Sequence, residues 1–466
     1  MYLAGKFTPS AERLEIHNPF NGEVVGHTYL ASAEQVEEAI ASAVSAFVKY
    51  RELATAERVV ILERILTGIK DRRERIANLI CLEAGKPIRD ARGEVDRAVH
   101  TWTVAIEEAK RLGGEVISLD HSITSKGRLG LVKRFPVGPI AGIAPFNFPF
   151  NLSSHKLAPA LASSNTIVLK PASADPTAVL IFGEIFEEAG LPPGVASILP
   201  MSREVGKKLV QDERFKLLSF TGSPAVGWGM KARAGKKKVI LELGGNAAVI
   251  IDEATETVRA AERVTVGGFS YAGQSCISVQ RVYVHESQYA QFKQQLVEMV
   301  QKIVVGDPRD EATQVGPMID EDTAQKTKQW LDQAVAAGAK ILCGGTHVKN
   351  LFQPTVLEQV PEDAPLCREE AFAPLVILFP FKDFKEVVSR VNDSRFGLQC
   401  GLFTNNVAHL RYAWDNLEVG GVIHNDVSSY RSDHMPYGGI KDSGLGREGL
   451  KYAIEEMTEP RLLVLN

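Results

Sequence analysis

Two reactive side chains, a thiol and a carboxylate, stand out from the sequence. Cys276 closes the run Gly273-Gln274-Ser275-Cys276, in which small and polar neighbours leave the sulfur open to a ligand. A thiolate is a good nucleophile toward a carbonyl carbon. Glu242 ends an apolar run and precedes two glycines, and a carboxylate in such a place can act as a general base. The pair predicts a cysteine that forms an acyl intermediate and a glutamate that activates the water that clears it.

The other four cysteines lie in plainer surroundings. Cys81 is in an apolar helical stretch, Cys343 and Cys400 are in short apolar runs, and Cys367 is in a charged run. Most cysteines are small, inert core residues, so the polar, glycine-opened loop is what singles out Cys276. Five scattered cysteines also argue against a disulfide framework and favour a reducing compartment, so we expect a cytoplasmic protein.

Length and composition narrow the function further. A chain of 466 residues has room for two or three domains and a large core. The net charge of −4 gives no electrostatic reason to expect nucleic acid or an anionic membrane as a partner. The longest apolar stretch, residues 137–150, is too short to cross a bilayer. The histidines are scattered without the spacing of a metal site, so no metal is expected.

The first part of the chain changes from extended pieces to helices. Residues 1–30 predict short strands with a hairpin turn at Asn21-Gly22. A helical pattern opens at Ser32 and continues to about residue 113. Residues 116–137 then alternate like two strands around a polar centre. Such a pair is not stable alone and must pack on something, which could be another subunit.

From Gly138 onward, short apolar strands alternate with amphipathic helices. This alternation predicts βαβ units and a parallel sheet covered on both faces. Ligands bind such sheets at the carboxyl ends of the strands, where the polar residues are Asn147, Lys170, Thr221 and Glu242. Three of these have an ordinary alternative: an asparagine between prolines suits a turn, a lysine suits a solvated strand end, and the segment after Thr221 suits a plain Ser-Pro helix start. The predicted strands cover 140–144, 166–169, 196–199, 217–220 and 239–241, and the helices 152–163, 176–189, 202–210 and 223–234.

A second α/β run follows, with strands predicted at 247–251, 281–285, 375–378 and 419–422. The tail, residues 461–465, is an apolar strand at the very C-terminus. An apolar strand needs a pairing partner, so we expect it to join a sheet between subunits.

Eight stretches together resemble the NAD(P)-dependent aldehyde dehydrogenase superfamily. They occur in the family's order and cover almost the whole chain. Their sequences are most similar to those of the branch that contains lactaldehyde and non-phosphorylating glyceraldehyde-phosphate dehydrogenases. The stretches are Pro145-Phe146-Asn147-Phe148-Pro149, Lys156-Leu157-Ala158-Pro159-Ala160-Leu161, Leu169-Lys170-Pro171-Ala172, Phe220-Thr221-Gly222-Ser223, Leu241-Glu242-Leu243-Gly244-Gly245-Asn246, Gly273-Gln274-Ser275-Cys276, Glu370-Ala371-Phe372-Ala373-Pro374 and Pro436-Tyr437-Gly438-Gly439-Ile440-Lys441-Asp442-Ser443-Gly444.

The resemblance implies an α/β fold with three parts. Residues 1–115, 137–243 and 435–452 would form a doubly wound, Rossmann-like cofactor-binding domain, and residues 244–434 a second α/β catalytic domain. Residues 116–136 with 453–466 would form a small β oligomerisation element. A homodimer or homotetramer follows from the resemblance and the apolar tail.

The resemblance also implies a mechanism. Cys276 would attack an aldehyde to give a thiohemiacetal, while the Asn147 amide and the Cys276 backbone N–H hold the developing oxyanion. Hydride transfer to the nicotinamide would leave a thioester, which water activated by Glu242 would hydrolyse. Lys156 would help to relay the proton.

The cofactor-binding residues implied by the resemblance lie at the strand ends and beyond. Lys170 would bind the adenosine ribose, the segment 220–223 would offer a helix N-terminus to the pyrophosphate, and Glu370 with Phe372 would position the nicotinamide. Ser173 stands where NAD-specific relatives often carry Glu, so we expect NADP as well as NAD to be accepted. The full set is Ala144, Pro145, Phe146, Lys170, Ala172, Ser173, Thr221, Gly222, Ser223, Val226, Leu243, Gly244, Glu370 and Phe372.

The substrate is predicted from four residues, Arg97, His155, Ser275 and Arg431. Guanidinium groups suit carboxylate or phosphate groups, and His155 makes one wall more polar than the Trp of many relatives. The ordinary alternatives are a solvated helix face for Arg97 and an ion pair with Asp433 for Arg431. A short hydroxy- or anionic aldehyde and a generic apolar aldehyde therefore both stay open.

Three other functions compete with this interpretation. A CoA-acylating dehydrogenase typically lacks the carboxylate of Glu242, and a cysteine hydrolase needs a histidine near Cys276, which the sequence does not offer. A non-catalytic protein on the same fold is the third. The run Gly444-Leu445-Gly446-Arg447-Glu448-Gly449 fits a dinucleotide-binding pattern but follows no apolar strand, so we interpret it as a loop beside the cofactor domain.

Overall fold

Two large β-sheets, each with its own hydrophobic core, organise the chain, and a smaller third sheet has three strands. The computed structural model describes residues 1–466. Its helices are α1 (Ala33–Tyr50), α2 (Thr55–Asp71), α3 (Arg73–Ala84), α4 (Ile88–Arg111), α5 (Pro149–Ala162), α6 (Pro176–Ala189), α7 (Arg203–Gln211), α8 (Pro224–Arg233), α9 (Thr257–Phe269), α10 (Glu286–Val300), α11 (Glu321–Ala336), α12 (Pro365–Arg368), α13 (Phe384–Asn392), α14 (Val407–Asn416) and α15 (Leu450–Glu456).

The strands are shorter and more numerous than the helices. They are β1 (Tyr2–Leu3), β2 (Lys6–Phe7), β3 (Glu12–His17), β4 (Val24–Leu30), β5 (Gly114–Ser118), β6 (Leu129–Pro136), β7 (Ile140–Ile143), β8 (Ile167–Lys170), β9 (Ala196–Ile198), β10 (Leu217–Thr221), β11 (Lys238–Glu242), β12 (Ala248–Ile251), β13 (Arg281–His285), β14 (Lys340–Cys343), β15 (His347–Val348), β16 (Leu351–Phe352), β17 (Thr355–Glu358), β18 (Leu375–Phe381), β19 (Phe396–Gly397), β20 (Gln399–Phe403), β21 (Gly421–His424), β22 (Ile440–Lys441), β23 (Gly444–Leu445) and β24 (Thr458–Leu465).

The first sheet has the order β2-β1-β9-β8-β7-β10-β11-β23. Its five central strands are parallel and alternate with helices, which confirms the predicted doubly wound arrangement. The register places Thr221 beside Glu242 and Ile143 beside Lys170, so the predicted polar residues end at one edge of the sheet. The run 444–449 is not a loop throughout, because Gly444 and Leu445 form β23, which pairs antiparallel with β11.

The second sheet has the order β14-β17-β18-β13-β12-β20-β21 and confirms the second α/β unit. Strand β20 lies between β12 and the edge strand β21 but was not predicted, because Gln399 and Gly401 interrupt the apolar run. The strand predicted at 419–422 begins two residues later, at Gly421.

The third sheet has the order β24-β6-β5. The tail strand β24 pairs along its length with β6 of the same chain, so its first partner is not another subunit. It lies at the end of the sheet, and Leu462, Leu463 and Val464 remain 46–57% exposed. None of the helices combines the length and the hydropathy that a membrane span requires.

Candidate active site

A cavity of about 1030 Å³ opens at the carboxyl ends of the first sheet's parallel strands and extends to the segment that follows α9. Cys276, Glu242 and Asn147 all line it. The thiol, the carboxylate and the amide that the sequence analysis paired are therefore brought together, although they are 34 and more residues apart in the chain.

Cys276 is presented by a strained turn after α9. Tyr271 and Ala272 have φ values of 48° and 53°, and Gly273 follows at 68°, all in the left-handed region. A Cβ on Gly273 would collide with the carbonyl oxygen of Ala373, so only glycine fits there. The turn therefore directs the next residues, including Cys276, into the cavity.

The Cys276 sulfur has one side-chain hydrogen-bond partner, Tyr437. Burial raises the pKa of the thiol to about 12, while the hydroxyl of Tyr437, 3.0 Å from the sulfur, and the guanidinium of Arg431 lower it. Desolvation disfavours the thiolate, so the groups that contact the sulfur decide how readily it becomes a nucleophile.

Glu242 is the last residue of β11 and is 3% exposed. Neither of its carboxylate oxygens has a hydrogen-bond partner. Burial, together with the neighbouring carboxylate of Glu448, raises its pKa well above 4.5. A buried carboxylate without a hydrogen-bond partner lowers the stability of the fold, so its presence points to a function. A raised pKa is what a general base working near neutral pH needs.

Asn147 lies in the loop before α5, where its Nδ2 donates to the carbonyl oxygen of Gln274 at 3.0 Å. The amide carries a second hydrogen that can donate to another acceptor. Both the predicted turn role and the predicted catalytic role are compatible with this placement. The bond also ties the α5 loop to the turn that carries Cys276.

Two residues that sequence reasoning missed fix the start of α5. The Oε1 of Glu94 accepts from the backbone N–H groups of Phe150 and Asn151, at 2.9 and 3.1 Å. Its other oxygen pairs with the fully buried Lys86, whose ammonium lies 3.7 Å from the centre of the Phe148 ring. Both residues lie on the wall of the cavity. A lysine and a glutamate eight residues apart near a helix start carry no distinctive signal of this role.

Two of the predicted site residues do not line the cavity. Lys156 is buried behind the wall, where its Nζ donates to Thr221 at 2.7 Å and lies 3.4 Å from Glu448. Its burial lowers its pKa. His155 is buried beside it and pairs with Asp433 at 2.8 Å. The prediction that His155 forms a polar wall is therefore wrong, since α5 turns this side chain into the interior.

The two predicted arginines line the cavity, but both ordinary alternatives are wrong. Arg97 is not on a solvated face, because its guanidinium pairs with Asp433 at 2.7 Å and is 31% exposed. Arg431 does not pair with Asp433; it pairs with Glu448 at 2.8 Å. Despite burial, Lys156 and Arg431 lower the pKa of Glu448 to about 2. Ser275 also lines the cavity.

All fourteen predicted cofactor residues line the same cavity. Glu370 accepts from the N–H of Gly245 at 3.0 Å, and burial raises its pKa to about 7. A Cβ on Gly244 would collide with the Glu370 carboxylate, so this close approach requires glycine. The ring of Phe372 packs edge-to-face on Phe146, with centroids 6.0 Å apart.

Sequence reasoning missed the cationic end of the cavity. Arg203, Lys207 and Arg233 line it in addition to Lys170. The signal was present, because residues four apart in a helix share one face and Arg203 and Lys207 follow the helix start at Ser202.

Comparison with known proteins shows the family of the chain. The model of the aldehyde dehydrogenase family matches residues 7–463. A 3-sulfolactaldehyde dehydrogenase of Priestia aryabhattai is 43% identical, over 100% of this chain and 98% of its own length. The structure of aldehyde dehydrogenase 21 from Physcomitrella patens, in complex with the reaction product succinate, superposes with a TM-score of 0.98 at 45% identity and covers 100% of this chain and 98% of that one.

A third comparison concerns a cofactor complex. A glyceraldehyde-3-phosphate dehydrogenase from Methanocaldococcus jannaschii, complexed with NADP, has a TM-score of 0.94 at 38% identity and covers 98% of this chain and 99% of its own. The fold and the site define an oxidoreductase with a thiol and a carboxylate in one cofactor-sized cavity. The chain belongs to the aldehyde dehydrogenase family and is an NAD(P)-dependent aldehyde dehydrogenase.

Proposed function

We propose that this enzyme oxidises a short anionic aldehyde to the carboxylic acid, with Cys276 as the nucleophile and Glu242 as the general base. The observation that carries the proposal is the convergence of Cys276, Glu242 and Asn147 on one cavity. In a CoA-acylating enzyme a carboxylate that activates water would be a disadvantage, so the unpartnered Glu242 favours hydrolysis.

The residues divide the reaction into two halves. The Cys276 sulfur bonds to the aldehyde carbon, and the Asn147 amide and the Cys276 backbone N–H donate to the oxygen that becomes negative. Removing one such donor typically costs about 10²–10³-fold in rate. A bound NAD(P) would supply the acceptor for the hydride that the former aldehyde carbon loses. The acyl group then remains on Cys276 as a thioester. Glu242 then takes a proton from water, which attacks the thioester and releases the acid.

Several features of the cavity fit a nicotinamide dinucleotide. The N-terminus of α8 has no side-chain cap, since Ser223 makes no capping bond, so its N–H groups and helix dipole suit a pyrophosphate. Lys170 donates only to the neighbouring carbonyl of Pro171 at 3.3 Å and keeps two N–H donors for a ribose. Gly244 and Glu370, which approach each other closely, also line this cavity.

An activity matrix of aldehydes against both cofactors tests the proposed function. Three anionic aldehydes, succinic semialdehyde, 3-sulfolactaldehyde and glyceraldehyde 3-phosphate, would be compared with two uncharged ones, lactaldehyde and propanal, with NADH or NADPH absorbance as the readout. We expect the anionic aldehydes to have the highest kcat/KM. No turnover with any aldehyde, or a product that forms only when CoA is added, would contradict the proposal.

The cationic end of the cavity supports the use of NADP. Arg203, Lys207 and Arg233 line the same cavity as Ser173. None of the acidic side chains that line this cavity is adjacent to Ser173 in the chain. Electrostatic complementarity of this kind suits a 2′-phosphate. We propose that the enzyme accepts both cofactors, with NADP preferred.

Ser173→Glu is expected to lower kcat/KM for NADP by about 10–100-fold, because a like charge beside the 2′-phosphate is repulsive. The value for NAD should change little, since NAD has a hydroxyl at that position. Steady-state kinetics with each cofactor measure the ratio. Ser173→Gln is the matched control, with a similar size and no charge, and an equal loss in both variants would attribute the effect to bulk.

The preference for an anionic substrate rests on three arginines of the cavity wall. Arg97 and Arg263 each use Nε and Nη2 on an aspartate and leave Nη1 free. The buried Nε of Arg431 has no hydrogen-bond partner. Unused N–H donors on guanidinium groups suit a carboxylate, sulfonate or phosphate.

Arg97→Gln is expected to raise KM for succinic semialdehyde about tenfold, because a hydrogen bond between charged groups is lost. KM for propanal should not change, since propanal carries no anion. Arg92→Gln is the control on the same helix, because Arg92 pairs with Glu74 and Glu311 outside the cavity. Equal KM shifts for both aldehydes would show that Arg97 shapes the cavity and does not recognise charge.

We also propose that the chain has the three parts expected from the sequence, that it forms a homodimer or homotetramer, and that it is located in the cytoplasm. The exposed apolar strand β24 at the end of the third sheet favours pairing with another copy of the chain. All five cysteines are free thiols, which suits a reducing compartment. Size-exclusion chromatography with light scattering measures the oligomeric state.

A further inference from the structure

The hydroxyl of Tyr437 makes a contact that the proposed reaction does not yet use. Its oxygen lies 3.0 Å from the Cys276 sulfur and is the only side-chain hydrogen-bond partner of that sulfur. Tyr437 is 2% exposed and lines the cavity. A buried hydroxyl normally finds a partner, and here the partner is the reacting atom.

Tyr437 is held firmly in this position. Its backbone N–H donates to the carbonyl oxygen of Glu448 at 3.0 Å, and the N–H of Glu448 donates back at 2.6 Å. The ring packs with Ile277 and Leu398 in a small hydrophobic cluster. The guanidinium carbon of Arg431 lies 3.7 Å from the ring centre. The ring is therefore packed on several sides, with the hydroxyl directed at Cys276.

The packing alone does not account for the hydroxyl. A phenylalanine would fill the same space against Ile277, Leu398 and Arg431 and would leave the sulfur without a side-chain hydrogen-bond partner. The hydroxyl of Tyr437 therefore adds a hydrogen-bond donor for the sulfur, which the packing of the ring does not require.

The charged groups around the sulfur strengthen this donor. Arg431 favours the thiolate, whereas Glu370 and Glu242 disfavour it, and none of the three forms a hydrogen bond with the sulfur. A cation over an aromatic face withdraws electron density from the ring, so Arg431 makes the Tyr437 O–H a better donor. A hydrogen bond donated to a thiolate stabilises this charged form and so lowers the pKa of the thiol.

We propose that Tyr437 is a catalytic residue whose hydroxyl donates a hydrogen bond to the thiolate of Cys276. The inference rests on the proposed role of Cys276. The proton of the thiol leaves to solvent, Tyr437 keeps its own proton, and the sulfur electron pair forms the bond to the aldehyde carbon. When the thioester is hydrolysed, the C–S bond breaks, the pair returns to sulfur, and Tyr437 stabilises the leaving thiolate again.

Thiol reactivity tests this role without any aldehyde. The full-length enzyme and the Tyr437→Phe variant would be treated with iodoacetamide over a range of pH, and mass spectrometry would follow alkylation of Cys276. We expect Cys276 to be alkylated more slowly in Tyr437→Phe at every pH of the profile, because loss of the donor raises the pKa of the thiol by about one unit. At neutral pH the rate should fall about threefold, because a tenfold smaller thiolate fraction is partly offset by its greater nucleophilicity.

Steady-state kinetics give a second readout, in which kcat of Tyr437→Phe should fall while KM for the aldehyde stays unchanged. Tyr430→Phe is the control, because Tyr430 lies in the same segment, is 49% exposed and does not line the cavity. Thermal melts of both variants would show that each is folded.

Two results would overturn the inference: an alkylation profile of Tyr437→Phe that equals the wild-type profile, or an equal shift in Tyr430→Phe. Either leaves the proposed function intact, since that depends on whether Cys276 itself is required. Turnover without Cys276 would instead overturn the proposed function.

Discussion

Cys276→Ala is expected to lower the rate of NADPH formation by about 10⁴-fold or more with every aldehyde, because no other thiol lines the cavity to form the thioester. The carboxylate of Glu242 and the amide of Asn147 remain in this variant, but neither bonds to the aldehyde carbon. Stopped-flow absorbance detects both the first turnover and the steady state, and we expect neither.

The control for this experiment is Cys343→Ala, which removes a partly buried thiol that does not line the cavity. Its activity should equal that of the wild type. Cofactor binding by Cys276→Ala, followed by quenching of protein fluorescence, should also be retained. Turnover above about one hundredth of the wild-type rate in Cys276→Ala would contradict the role of this thiol.

Glu242→Gln is expected to keep the first turnover and lose the later ones. The amide preserves the size of the side chain but cannot accept the proton of water, and general base catalysis typically contributes about 10²–10⁴-fold. Stopped-flow traces should show one equivalent of NADPH per active site, followed by a steady state slower by that factor. Denaturing mass spectrometry should show the acyl group on Cys276.

The pH dependence of the hydrolysis step follows from the same carboxylate. Only the ionised form of Glu242 accepts a proton, and burial raises its pKa well above 4.5. In the wild type the steady-state rate should therefore rise with pH through a window above the ordinary pKa of glutamate, and in Glu242→Gln this rise should disappear. Loss of the first turnover together with the steady state would contradict a role confined to hydrolysis.

A second buried carboxyl provides the control for Glu242→Gln. Burial raises the pKa of Glu83 to about 8, but this residue lies on α3 outside the cavity. Its Oε2 accepts from the N–H of Thr177 at 3.0 Å, a bond that a glutamine oxygen can keep. Glu83→Gln should therefore leave both the first turnover and the pH profile unchanged.

The sequence predicted the parts of the fold that depend on local periodicity. The helix over 176–189 and the strand over 281–285 have the bounds that the patterns indicate. Strand β20 was missed because a buried strand with a glutamine and a glycine has no distinctive pattern. Strand β1 was seen as an extended piece, but its place beside β9 depends on a contact about 195 residues away.

The same limit applies to the candidate site. Cys276 and Glu242 were found because unusual residue types stand in unusual local surroundings. Tyr437 and Glu94 were missed as site residues because their roles depend on what they contact, not on their neighbours in the chain. The partner expected for Arg431 was wrong for the same reason. Asp433 is its neighbour in the sequence, but Glu448 is the residue that it pairs with in the fold.

The first sheet recruits strands from both ends of the chain, which has a consequence for biosynthesis. Strand β1 begins at residue 2, and the opposite edge strand, β23, ends at residue 445. A ribosome releases the N-terminal end first, at about 5–20 residues per second, so the nascent sheet waits with an open edge beside β11 while the whole second α/β unit is made. During that interval the exposed edge is open to pairing with other nascent chains. The last strand of the cofactor-binding sheet therefore pairs only after the second α/β unit has been made, roughly 10–40 seconds after β11.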